Sequence, residues 1–143
     1  MYGETAAMRR RVGQLREQAV ELRQTADRLV AQAESVPWRG RAAEAMRLRI
    51  KERAAHLREA AGLHENAAES LSRHVHEVDH RQDSIVVIER KVASLVADAQ
   101  SRVETLEAAR PGAEPEPEDA VLVAFVPPPS GHKDWLDVEL PGL

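Results

Sequence analysis

Cysteine is absent from this 143-residue chain, which excludes a disulfide framework and any Cys-ligated zinc or iron–sulfur centre. Aromatic residues make up 3% of it, with a single Phe and a single Tyr, too few for the compact core of a mixed α/β domain. No stretch approaches the ~20 apolar residues needed to span a bilayer. The start, Met1-Tyr2-Gly3-Glu4, has no basic region followed by an apolar run, so any export is expected to proceed without a Sec-type leader. Phosphate-loop, nucleophile-elbow and metalloprotease motifs are also missing. These absences argue against an enzyme, and no catalytic residue, metal-ligand set or cofactor is assigned.

What remains is a chain with 31% charged residues, an Arg-dominated positive side and apolar content drawn mainly from Ala, Leu and Val. That composition predicts an all-α fold with coiled-coil-like packing. Met8, Val12, Leu15, Ala19, Leu22, Ala26, Leu29 and Ala33 alternate at spacings of four and three, which predicts a helix over about Glu4 to Glu34 with a narrow apolar seam. Pro37 must end it, since proline disfavours helical dihedrals in the residue before it and donates no N–H. After Gly40 a second pattern begins at Arg41, with Ala43, Met46, Ile50, Ala54, Leu57, Ala61, Ala68, Leu71, Val75 and Val78 in phase. The two segments are therefore expected to form an antiparallel hairpin pairing through Met8, Val12, Leu15, Leu22 and Leu29 on one side and Met46, Ile50, Leu57, Leu71, Val75 and Val78 on the other.

The second pattern continues through Ile85, Ile88, Val92, Leu95, Ala99, Val103 and Leu106 and meets no proline before Pro111. An unbroken helix of that length is about twice the first, so its far half has no partner within the hairpin. A break near Asp83-Ser84 would fold it back as a third helix. An elongated second helix that oligomerises through Ile85, Ile88, Val92 and Leu95 is the expectation adopted, with another copy or a different protein as partner.

Trp38-Arg39-Gly40 marks the bend between the patterns. Gly40 permits a backbone angle closed to other residues, and the Trp38 ring is placed to cover the open end of the helix pair with its N–H on a backbone carbonyl. A Trp-any-Gly turn joining two amphipathic helices in a short, cysteine-free chain resembles the WXG family of hairpin proteins exported by type VII secretion, relatives of the early secreted antigenic target of mycobacteria. The resemblance covers about residues 4 to 80. It implies antiparallel pairing of hairpins into four-helix bundles, a protein partner that is either self or a second helical hairpin protein, and involvement with a secretion ATPase or toxin. It further implies a cytoplasmic protein before export and a secreted one after. The chain departs from the family at the export signal, an aromatic followed four residues later by an acid, because no aromatic stands near residues 70 to 90. A partner that rides with a signal-bearing protein, or a hairpin that is not exported, accommodates that departure.

Residues 111–119, Pro-Gly-Ala-Glu-Pro-Glu-Pro-Glu-Asp, read as an acidic proline-rich linker, so the helical domain is expected over 1–110 and an extended tail over 120–143. Ala120–Val126 is apolar, β-branched enough for a strand, and closed by three prolines. Trp135, Leu136, Val138 and Leu140 are apolar anchors among acids, the pattern of a linear docking peptide. In some members of the family such a tail docks on the export ATPase. A tail that covers its own helices fits the residues equally well. Residues 1–60 carry 13 Lys/Arg and 8 Asp/Glu against 1 and 7 in residues 111–143, so the ends attract each other over a screening length of ~8 Å.

His74, His76 and His80 cluster with Asp79 and Asp83, but without a third ligand fixed by another segment a solvated helix surface is the expectation rather than zinc. Arg39, Arg41, Arg47, Arg49, Lys51 and Arg53 form a basic run with no interleaved aromatics to stack on bases, so nucleic acid is not expected as a partner. The function expected is that of a WXG-like interaction protein, a type VII secretion substrate, partner or chaperone-like adaptor. The alternative is a cytoplasmic coiled-coil scaffold that presents Trp135 to Leu143 to a folded partner.

Overall fold

The computed structural model describes residues 2–143; Met1 and the side chain of Tyr2 lie outside the described residues. Its elements are α1 (Tyr2–Ser35), α2 (Arg41–Ala109), α3 (Pro117–Ala124) and a 3₁₀ turn (Lys133–Asp137), with no strand among the described residues. The fold is an all-α hairpin in which a long second helix packs against the first. Two compact units divide within α2, one over residues 1–78 and the other over 79–143. No helix of the described residues is long and apolar enough to cross a membrane.

In the first unit the buried positions are small and, apart from Ala43 near the start of α2, recur every seven residues. Thr5, Val12, Ala19, Ala26 and Ala33 face inward on α1, and Ala54, Ala61, Ala68 and Val75 on α2. Ion pairs fix the register: Arg58 Nη2 lies 2.7 Å from Asp27 Oδ1, and Arg23 forks onto both carboxylate oxygens of Glu65. These pairs interleave with the alanines and set Ala26 opposite Ala61, Ala19 opposite Ala68 and Ala33 opposite Ala54. Alanine at most of these positions leaves no large side chain between the two helix backbones.

The second unit is the far half of α2 with the tail folded on it. Ile85, Val92 and Trp135 form its buried centre, with Ile88, Val96, Phe125, Val138 and Leu140 packed around them. This corrects two expectations. Residues 85–92 find their cover in the chain's own tail, so an unpaired stripe awaiting another copy is not what the fold presents. The apolar run expected as a strand is instead helical over Pro117–Ala124. Pro117 stands at the first helical positions, where its missing N–H costs nothing, and Glu118 and Asp119 in the first turn complement the helix dipole. Those N-terminal signals outweigh the β-propensity of the valines, because the helix puts Asp119 and Leu122 together on its buried face.

Candidate protein-interaction surfaces

The turn is built by a residue whose role the sequence does not announce. Arg47 falls one heptad before Ala54, in the seam, close to the bend. Its guanidinium reaches the end of α1 and donates to the carbonyls of Ala33 at 3.2 Å, Val36 at 2.9 Å and Trp38 at 2.6 Å. α1 has no basic residue in its own last turn, so Arg47 supplies from α2 the positive charge and donors that a helix C-terminus lacks. Gly40 has φ +110°, a conformation that favours glycine, and its carbonyl accepts the Glu44 N–H at 3.0 Å to open α2. Trp38 lies at the bend beside Gly40. It is 50% exposed, and the residue contributes to the bend through its carbonyl.

Nine of the hairpin's large apolar residues follow a seam position by three, whereas Val20, Leu48 and Leu63 are exposed outside that row. Met8, Leu15, Leu22 and Leu29 do so on α1, and Met46, Ile50, Leu57, Leu71 and Val78 on α2, while Val12 and Val75 sit in the seam itself. In antiparallel helices that offset turns both rows toward the same side of the hairpin. All nine are half-buried, not buried. Shallow grooves open on that side, one between Leu29 and Leu57 and another beside Leu22 and His64. His64 takes the same offset after Ala61, and its Nδ1 lies 2.8 Å from the Ala60 carbonyl oxygen. The opposite side carries Asp27–Arg58, Arg23–Glu65 and the longer Glu34–Lys51 pair at 4.0 Å. The hairpin therefore has one ion-paired face and one apolar face.

The basic run divides by function in the structure. Arg47 and Lys51 are taken up by α1, whereas Arg49 and Arg53 line the groove beside Leu29 and Leu57. Among the described residues no group of three or more His, Asp or Glu side chains is placed to hold a metal ion.

In the second unit the tail is fastened at three points. Asp119 is buried and accepts from Arg102 Nε at 3.1 Å and Nη2 at 2.8 Å. Trp135 is 5% exposed and its indole N–H donates to the Pro129 carbonyl at 3.0 Å, with the Phe125 ring edge-on at 6.2 Å between centroids. Glu89 accepts the Gly131 N–H at 2.8 Å and the Ser130 hydroxyl at 3.3 Å. Past the 3₁₀ turn, Gly142 (φ +85°) lies so close to Leu95 that a Cβ on it would sit 3.1 Å from a Leu95 methyl. Of the four expected docking anchors, Trp135, Val138 and Leu140 are thus in the core of this unit or against it, and Leu136 is exposed. The four residues Ile85, Ile88, Val92 and Leu95 are the surface on which the tail rests.

The fork from Arg102 holds the Asp119 carboxyl below the ordinary carboxylate range, against the opposing effect of its burial. A depressed carboxyl contributes stability above its unfolded-state value, near pH 3.9, and that contribution is lost as pH falls through the folded-state value. In acid titrations followed by Trp135 fluorescence in a Trp38→Phe background, the Asp119→Asn variant is expected to be less stable than the parent near neutrality. The difference should shrink as the pH drops below about 4. A difference that persists unchanged to pH 2 would show that the ion pair does not hold the tail.

Comparison with known proteins gives no matching family model, no matching curated protein and no matching solved structure.

Proposed function

We propose that this chain is a WXG-like helical interaction protein that acts by pairing its hairpin with a second helical hairpin, as a type VII secretion substrate, partner or chaperone-like adaptor. The observation that carries this reading is the apolar face: nine Met, Leu, Ile and Val side chains stand half-buried on one side of a hairpin whose seam is already filled by alanine. Burying apolar surface is worth about 25 cal/mol per Å², so a row of this length favours a covering helix pair. The Trp38-Arg39-Gly40 bend between the two helices supports the family resemblance. Nothing in the site suggests chemistry on a substrate. The scaffold alternative, in which Trp135 to Leu143 is offered as a linear peptide, requires Trp135 to leave a site where it is buried and hydrogen-bonded.

The test is a pair of charge insertions on that face, Leu22→Glu and Leu57→Glu, which leave the alanine seam and the ion-paired face intact. Light scattering coupled to size exclusion should show the parent pairing with itself or with a co-expressed hairpin, and the double variant as a helical monomer. In a host with type VII machinery, the parent should reach the medium alone or with its partner, and the variant should not. If pairing and export survive both substitutions, this face is not the interface and the reading fails.

A further inference from the structure

A groove of about 400 Å³ runs along α2 in the second unit, and its chemistry differs from that of the hairpin face. Val92 and Val96 line it on the helix, and Phe125, Pro127, Pro128 and Trp135 line it from the tail. Glu89 stands at one end and Gln100 at the other, about 16 Å apart along the helix at 1.5 Å per residue. The Glu89 carboxylate is held in place by the Gly131 N–H and the Ser130 hydroxyl, both neutral donors. No cation pairs with it among the described residues, and a carboxylate has lone pairs left after two such bonds. The unit as a whole is acidic: residues 79–143 carry 6 Lys/Arg against 13 Asp/Glu, a formal charge of −7, whereas residues 1–78 carry 14 against 11.

We propose that this groove docks a short extended segment of a partner protein that presents a lysine or arginine among apolar residues. The length admits about five residues at ~3.3 Å each. Apolar side chains of the segment would lie on Val92, Val96 and the proline and aromatic wall. The methylene stem of the basic residue would follow the same wall, with its head on Glu89 as a charge-assisted hydrogen bond. The acidic field of the unit draws such a segment in and disfavours an acidic one. This docking does not rest on the hairpin pairing proposed above, since it uses none of the residues of that face.

The experiment uses the full chain carrying Trp38→Phe, so that Trp135 in the groove wall is the sole tryptophan reporter. Three synthetic peptides are titrated: acetyl-Leu-Ala-Lys-Ala-Leu-amide and the same peptide with norleucine or glutamate in place of lysine. The lysine peptide should bind about tenfold more tightly than the norleucine peptide, and the glutamate peptide more weakly than either. Glu89→Gln keeps an oxygen for the Gly131 N–H and therefore keeps the tail in place, and it should erase the preference for lysine. Ala97→Phe fills the groove from the exposed side of α2 without touching Glu89, and should abolish binding of all three peptides. Equal binding of lysine and norleucine peptides, no binding of the lysine peptide at millimolar concentration, or binding unchanged by Ala97→Phe would each overturn the proposal. Loss of this binding with hairpin pairing intact, or the reverse, separates the two sites.

Discussion

Replacing Trp135 with alanine should release the tail from α2 at ordinary temperature. Trp135 is the largest side chain in the buried centre of the second unit, it contacts Ile85 and Val92, and its indole N–H is satisfied by Pro129. Truncating a buried tryptophan typically costs about 3–5 kcal/mol. A unit of 65 residues has a total stability of only about 3–10 kcal/mol at the usual 0.05–0.15 kcal/mol per residue, so the loss removes from about a third to all of it. Amide exchange in α3 and the 3₁₀ turn should rise to the rate of unfolded chain, while the alanine-seamed part of α1 and α2 keeps its protection. Ile85, Ile88 and Val92 would then be uncovered, and the variant should bind hydrophobic dye and associate as concentration rises. Conservative Trp135→Phe keeps most of the apolar area but gives up the hydrogen bond, and should fall between. Retention of native tail protection in the alanine variant would mean that Arg102–Asp119 and Glu89 hold the tail without the aromatic anchor.

That outcome bears on why the tail's fate was the part of the fold least legible in the sequence. Periodicity in α1 and α2 is strong over many turns, so the two helices and the bend between them could be read from spacing, but of the eleven residues expected to pair the helices only Val12 and Val75 lie in the seam, and the other nine stand half-buried beside it. The tail offers only short signals that conflict. Val121 and Val123 favour a strand, while Pro117 with Glu118 and Asp119 favours a helix start, and the decision belongs to Arg102, a residue 17 positions upstream. Trp135 and Leu140 look alike whether they anchor to a partner or to the chain itself. Which surface they meet depends on a complementary stripe, and the stripe at Ile85 to Val92 suits another copy, a different protein or the chain's own tail equally well by its spacing.

Arg47 shows a second kind of illegibility. In sequence it is one arginine of a basic run, and charge alone places it on a solvated face. Its heptad position, seven before Ala54, is the available signal: a charged residue in a seam phase close to a turn can reach the neighbouring helix end. Glu89 is similar, an acid among apolar residues whose significance comes from Ser130 and Gly131, over 40 positions away. Local patterns reveal which face of a helix is apolar; they do not reveal which polar residue is opposite a carbonyl or an N–H from a distant segment.

Enlarging the seam should destabilise the hairpin more than trimming its large apolar residues does. Ala61 is fully buried and the ion-pair register sets it opposite Ala26, with methyl groups filling the space between two backbones. Ala61→Leu inserts three carbons there, so the helices must separate or the side chain must leave its rotamer, at about 2–3 kcal/mol for overpacking of this kind. Separation would also stretch Asp27–Arg58 and Arg23–Glu65 beyond pairing distance. Leu22→Ala, by contrast, removes carbons from a residue that is only half-buried, so in dilute protein it should cost about 1 kcal/mol, well under the 2–5 kcal/mol of a fully buried leucine. Denaturant unfolding of both variants at two protein concentrations tests more than the seam. Ala61→Leu should show its loss at either concentration, because its contact lies within the hairpin. The cost of Leu22→Ala should grow with concentration if a second hairpin covers that face, since the lost contact then includes one made only in the paired state. A concentration-independent Leu22→Ala larger than Ala61→Leu would reverse the assignment, placing the leucine row inside the hairpin and the alanines at its surface.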